Sequence, residues 1–312
     1  MHRSACKGRS LALTWWKYSR QSRSGIFSHL LELVPKELGG SLDIELIDER
    51  KSVVSATVPE WGIDETDGRA KLGVIMAMYD EISTYCGVCQ WDRTMRPGLS
   101  LQLTGRATGP LDVGQGDRIK IETRLLKTGK TVGFLDIVVK DTNDRVLVHG
   151  EHTKFMPTHL LFPFFLQPWQ QPFIVPVIDT YLSSRPVHQV SVPKTIEEVI
   201  RFDSPEITSD TYSTATKITP NVGNPLGMTH GGAVVLMGAE NALRGVRNLA
   251  LQPEKQTPHV IQTSLLQSLP TTKDLSVRLE TSFSEETYNS SLHSRTWMKQ
   301  EDRLIASTEV WF

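Results

Sequence analysis

The hydrophobic pattern changes period several times along the chain, and each change predicts an element. Leu42, Ile44 and Leu46 alternate with Asp43 and Glu45, and 51–58 is rich in β-branched residues. This predicts two strands, or a short helix and a strand, once the chain settles near Ser41. A turn-rich stretch over 60–69 leads into Leu72–Cys86, which is apolar nearly all round and interrupted only by Asp80 and Glu81. That pattern predicts a buried helix, and an ionised carboxylate inside one needs a partner. Four strand-like segments follow, Gly98–Ala107, Asp117–Lys127, Thr131–Lys140 and Arg145–Lys154, separated by Gly-, Pro- and Asp-containing turns.

Beyond a stretch over 157–193 that holds seven prolines, the order repeats. Glu197–Phe202 and Asp210–Ile218 are strand-like, and a loop over 219–228 leads to a second helix free of charge until Glu240. His259–Ser268, Leu275–Phe283, Tyr288–Lys299 and Arg303–Trp311 are four more strand candidates. Two halves of one order predict an internal duplication, and a long apolar helix followed by a meander predicts an α+β arrangement with the sheet curled around the helix. The domain boundaries this gives are 41–156 and 196–312, joined by a Pro-rich linker over 157–195 that is apolar enough to lie against the body of the protein or a partner.

Residues 1–40 stand apart. The first 25 contain Arg3, Lys7, Arg9, Lys17, Arg20 and Arg23 with five serines, and the first acidic residue is Glu32. A basic, Ser-rich, acid-poor start fits a mitochondrial transit peptide, and a basic arm that contacts a partner is the other reading. The 312-residue chain is long enough for two cores, and its net charge of −1 gives no sign of a nucleic-acid partner. No apolar run approaches the ~20 residues that cross a bilayer. Three cysteines, Cys6, Cys86 and Cys89, make no disulfide framework, and the Cys86–Cys89 pair continues the apolar helix as core.

The chemistry concentrates at Asn224 and His230-Gly231-Gly232. Paired glycines at a helix start leave bare N–H groups that a ligand oxygen can approach, and the helix dipole adds positive charge there. Alone, such a junction is equally a way to relieve crowding. Gly129-Lys130-Thr131 lacks the glycine spacing and following helix of a phosphate loop, and the chain has no Gly-x-Ser-x-Gly elbow.

These residues resemble the hotdog-fold acyl-CoA thioesterases of the phenylacetate type. The resemblance rests on Tyr79-Asp80-Glu81-Ile82-Ser83-Thr84, on 126–131, on Gly150-Glu151-His152-Thr153-Lys154, and on Asn224 with His230-Gly231-Gly232. It implies two tandem hotdog domains, each an antiparallel sheet wrapped around a long buried helix, forming an intramolecular pair of a kind that commonly associates further into a homodimer. In the family an Asn and a His-Gly-Gly from one unit meet an acid and a Ser from the other. Here one composite site would join Asn224, His230, Gly231 and Gly232 to Asp80 and Ser100. Its counterpart would hold Glu65, Lys71 and Leu72 with Ala239 and Val260, and Glu240 would fall outside both.

The implied activity is hydrolysis of an acyl-CoA. Gly231 would hold the oxyanion, and Asp80 would act as base or nucleophile. Asn224 and Ser100 would position water or the acid, and His230 would fix the loop or bind near the thioester. Lys127, Gly129, Lys130, Thr131, His152 and Lys154 are implied to contact the nucleotide part of CoA. No metal and no cofactor beyond the CoA of the substrate is implied. A non-catalytic hotdog subunit of a large mitochondrial assembly is the alternative.

Overall fold

The computed structural model describes residues 2–21, 26–92, 96–156, 171–184, 191, 193–249, 251, 257–271, 273, 275–286 and 291–312. Two N-terminal helices, α1 (His2–Gln21) and α2 (Ile26–Leu30), precede the first half. That half contains β1 (Asp43–Ile47), β2 (Lys51–Thr57), the central helix α3 (Leu72–Ile82), β3 (Leu99–Ala107), β4 (Arg118–Thr128), β5 (Val132–Lys140) and β6 (Val146–Phe155). A helix α4 (Gln171–Ser183) lies within the linker. The second half repeats the order with β7 (Glu206–Ile207), β8 (Thr211–Ile218), the helix α5 (Gly231–Asn248), β9 (Val260–Leu265), β10 (Leu275–Glu286), β11 (Ser291–Gln300) and β12 (Arg303–Trp311).

All twelve strands form one antiparallel sheet in the order β1-β2-β4-β5-β6-β3-β9-β12-β11-β10-β8-β7. The order reads the same from either edge once the halves are exchanged, so a pseudo-twofold runs through the β3–β9 pair. This is the expected double hotdog, an α+β duplication in which each half curls around its own helix. Every residue of α3 is buried, as its unbroken apolar character requires. The helix continues through a π-helical stretch, Ser83–Val88, and ends in a turn at Cys89–Trp91. Cys86 and Cys89 are free and fully buried, as core residues.

α3 and α5 cross at small residues. A Cβ on Gly232 would stand 2.6 Å from the Ala77 Cα, and one on Gly73 would stand 3.3 Å from a Leu236 methyl. Each helix packs on its own sheet by the opposite distribution of bulk. In the first half the Tyr79 ring lies over Gly150, and in the second Gly238 lies under Thr308.

One expectation needs correction, and two segments are more ordered than their composition shows. The proposed strand Glu197–Phe202 begins as one helical turn, Ile196–Val199, with Glu197 and Glu198 in its first turn where the dipole favours acids. Within the Pro-rich linker α4 is helical with Pro176 in its interior, and residues 157–170 lie outside the described residues. Finally, the N-terminal extension is not a free arm. Phe27 and Leu31 are fully buried, Trp61 Nε1 donates to the Leu30 carbonyl at 2.6 Å, and Lys17 pairs with Asp179 of α4 at 2.7 Å.

The helix crossing gives the first test. Gly232→Ala drives a methyl into the backbone of α3, so urea unfolding will show a loss of about 1–3 kcal/mol, the range for overpacking a core. Gly129→Ala, at an exposed hairpin tip whose nearest atom would be 3.4 Å away, will change stability by less than about 0.5 kcal/mol.

Candidate active site

Asp80 and Glu81 are consecutive in the last turn of α3, so their side chains leave the helix about 100° apart and meet different partners. Both are at most 2% exposed. Asp80 Oδ2 accepts the Gly232 N–H at 2.7 Å, from the first turn of α5, where unpaired N–H groups and the helix dipole favour a carboxylate. Asp80 Oδ1 accepts the Ser100 hydroxyl at 2.9 Å. Ser100 is aimed by a bulge in β3, since Ser100 pairs with Lys154 and Gln102 with Thr153, leaving Leu101 as the extra residue. A Cβ on Gly231 would stand 2.8 Å from both Asp80 Oδ2 and Ser100 Oγ, so only glycine fits. The Gly231 N–H donates to no described residue and lines a cavity shared with Asp80, Ser100 and Asn224.

Two histidines close the cluster. His230 caps α5 and its Nε2 donates to Glu81 Oε2 at 2.5 Å. Its Nδ1 lies 3.1 Å from the Gly232 nitrogen and 3.2 Å from Asp80 Oδ2. The neutral ring therefore accepts the Gly232 N–H, and the protonated ring turns an Nδ1–H toward Asp80. His152 Nε2 lies 3.0 Å from Ser100 Oγ and 3.2 Å from Asp80 Oδ1, while Nδ1 lies 2.7 Å from Ser83 Oγ. Because an ionised carboxylate only accepts, the Nε2 side carries the proton and Ser83 donates to Nδ1. Ser83 and Thr84 come from the π-helical stretch, a feature often found at functional sites.

The charges follow from this packing. Burial alone would raise the Asp80 carboxyl, but His230, His152, Lys154 and the Ser100 hydroxyl outweigh it and hold it down to about 2. Burial, helped by Lys154, pushes His152 down to about 3 against the pull of Asp80. For His230 burial lowers the value, yet Asp80 and Glu81 win and raise it above the ordinary imidazole value. The Lys154 ammonium is lowered, chiefly by burial.

Some sequence-predicted residues stand elsewhere. Asn224 lines the cavity, but its Oδ1 accepts from the Leu226 and Met228 N–H groups at 2.9 and 3.2 Å, so it folds its own loop. Lys127, Gly129, Lys130 and Thr131 are exposed on the β4–β5 hairpin. Arg96 ties that tip to the cavity rim, donating to the Lys130 carbonyl at 3.4 Å and the Met156 carbonyl at 3.1 Å. His152 and Lys154 do not join this surface. They are 0% and 3% exposed, and Lys154 Nζ donates to Thr84 Oγ1 at 2.6 Å, so their expected contact with CoA phosphates gives way to a role inside the carboxylate cluster.

Glu81, Tyr85, Trp15 and Arg96 were missed by the sequence reading. For Glu81 a signal existed, because the opposite position repeats the pair. Lys71 Nζ lies 3.0 Å from Glu240 Oε1, both buried or nearly so, just as His230 lies against Glu81. Glu240 is therefore part of the second position, contrary to the expectation that it would fall outside both. That position is a smaller cavity lined by Lys71, Leu72, Ala239, Glu240, Pro258 and Ile261. Val260 is not among its lining residues. Pro258, just before β9, is among them. No group of residues suited to hold a metal occurs among the described residues.

No protein-family model matches the sequence. No curated protein matches it either. Solved structures match in fold. A putative oleoyl thioesterase from Lactobacillus plantarum is 11% identical over 84% of this chain and 95% of its own, with a TM-score of 0.57. The 12:0-ACP thioesterase from Umbellularia californica is 10% identical over 84% and 94%, with a TM-score of 0.53. A conserved protein with a hot dog fold from Alicyclobacillus acidocaldarius is 11% identical over 87% and 94%, also at 0.53. Each covers more than four-fifths of this chain, so the likeness in fold extends over both halves.

The charge assignment can be tested through stability. His152 has a folded value of about 3 against 6.5 when exposed, so its contribution is complete above about pH 6.5 and is lost as pH falls toward 3. His230, with a raised value, contributes below 6.5 and loses that contribution as pH rises through its folded value. Between pH 7 and 4, urea unfolding of His152→Gln will lose roughly 2–3 kcal/mol less than the parent. Equal losses would refute a neutral, buried His152.

Proposed function

We propose that the protein hydrolyses the thioester of an acyl-CoA to a free acid and CoA, at one composite site between its halves. The observation that carries this reading is the meeting of an ionised carboxylate with an unbonded helix N-terminal N–H in one cavity. The thioester carbonyl oxygen sits at the Gly231 N–H, where the dipole of α5 stabilises the oxyanion. An ionised Asp80 beside the Gly231 N–H supports direct attack on the carbonyl carbon. The C–O bond forms, the C–S bond breaks, and the CoA thiolate leaves and takes a proton from solvent. Water then hydrolyses the mixed anhydride and restores Asp80. Ser100 orients the carboxylate, and the Asn224 amide is available to guide water. The exposed Lys127 and Lys130 at the hairpin tip meet the CoA phosphates, with Gly129 and Thr131 supplying the turn.

The basic N-terminus supports a mitochondrial location for this activity. One observation favours the second reading, a non-catalytic subunit of a mitochondrial assembly. Phe173, Val177 and Tyr181 recur every four residues on α4 and are 72%, 69% and 54% exposed, an apolar stripe suited to a partner.

The test is CoA release from a panel running from acetyl-CoA to long-chain acyl-CoA. Asp80→Asn will reduce turnover by about 10²–10⁴-fold. Removing Lys71 alone would strand Glu240 as a buried unpaired charge, so the control is the double variant Lys71→Met with Glu240→Gln, which will stay within about threefold of the parent. Comparable losses in both would sink the single-site model, and no turnover on any acyl-CoA would favour the second reading. A single turnover with acyl-labelled substrate, stopped in acid, separates the routes, because only direct attack leaves the acyl group on Asp80.

A further inference from the structure

The wall of the cavity opposite Gly231 comes from the N-terminal helix. Trp15 lines the cavity and stacks on Tyr85, with ring centroids 6.0 Å apart and planes 3° from parallel. Trp16, fully buried, meets the same ring edge-on at 5.1 Å and 77°. The Tyr85 hydroxyl bonds to Ser19 of α1 and to Glu81. Phe27 of α2 packs on the His230 ring at 4.8 Å between centroids. From the outer side α4 clasps α1, through Lys17 to Asp179 and Ser183 and through Gln21 to the Leu182 carbonyl.

Loss of this segment would expose Tyr85, Glu81 and His230 together. That conflicts with its reading as a leader that is cut away. The cavity is also tight. It leaves about 50 Å³ for water, room for a few molecules and not for a long acyl chain. The α3 and α5 walls are locked by the helix crossing. Trp15 is only half-buried and contributes an indole to the α1 side of the cavity.

We propose that the N-terminal helices, described over residues 12–21 and 26–31, stay on the working protein as one side of the cavity, and that Trp15 sets the bulk of the acyl group admitted. The second part rests on the thioesterase reading; the first does not. For the first, the full chain with a C-terminal tag is expressed in yeast and its intact mass measured after recovery. A chain that begins at or before Ala12 is expected, and one that begins beyond Ala12 overturns the wall.

For the second, kcat/KM is measured for acetyl-CoA and for bulkier acyl-CoA esters. In Trp15→Ala the ratio of bulky to acetyl substrate will rise about tenfold, while Trp15→Phe, which keeps an aromatic stack, will stay within about twofold. Trp15→Leu serves if melting shows that the alanine variant does not fold. A ratio unchanged in the folded variant overturns the assignment of Trp15, because loss of stability alone lowers both substrates equally. If the parent releases CoA from no ester, the thioesterase reading fails, and the mass measurement still decides the wall.

Discussion

The bond from the Gly232 N–H to Asp80 Oδ2 is the interaction on which the site depends, because it exists only if the two central helices touch. A side chain at Gly232 would strike the Ala77 backbone, and one at Gly231 would strike Asp80 and Ser100. The two glycines therefore answer different demands. Gly232 lets one helix start within hydrogen-bond reach of a carboxylate on the other, and Gly231 keeps the space beside that carboxylate open. The carboxylate stays ionised despite full burial because this contact, the Ser100 hydroxyl and the nearby cations all favour its charged form.

The duplication explains why one such centre exists where symmetry would allow two. At the second position the acid is Ala239, no serine is among the lining residues, and Leu72 fills the place of a glycine. What survives there is the outer pair, with Lys71 in place of His230 and Glu240 in place of Glu81. A lysine can hold a buried glutamate as an ion pair but cannot cap a helix by accepting an N–H. The second position thus keeps the pair that ties the halves together and lacks a carboxylate at the place of Asp80.

Much of the fold was legible in the sequence. Alternating strands after a charge-poor helix, repeated once, define the double hotdog, and Asp80, Ser100 and the paired glycines were all identifiable before their distances were known. Less was legible where burial depends on a partner far away in the chain. His152 and Lys154 look like surface cations in a polar strand, yet the inward curl of β6 places them under the helix. Glu197–Phe202 alternates like a strand, but its acidic start suits a helical turn. Glu81 is marked by symmetry alone, through its counterpart Glu240 against Lys71.

Two consecutive acids on a buried helix pose a problem that neither half solves alone. Their side chains diverge, so each needs its own counterpart from outside the helix. Asp80 is satisfied by the second half and by β3. Glu81 is satisfied by His230 on one side and by Tyr85 on the other, and Tyr85 is in turn held by Ser19, Trp15 and Trp16 of α1. Charge balance at Glu81 thereby reaches through an aromatic ring to the start of the chain. α1 carries both the cations that give a targeting segment its composition and the tryptophans that pack on Tyr85. Composition alone could register only the first of these, because the second depends on a tyrosine seventy residues away.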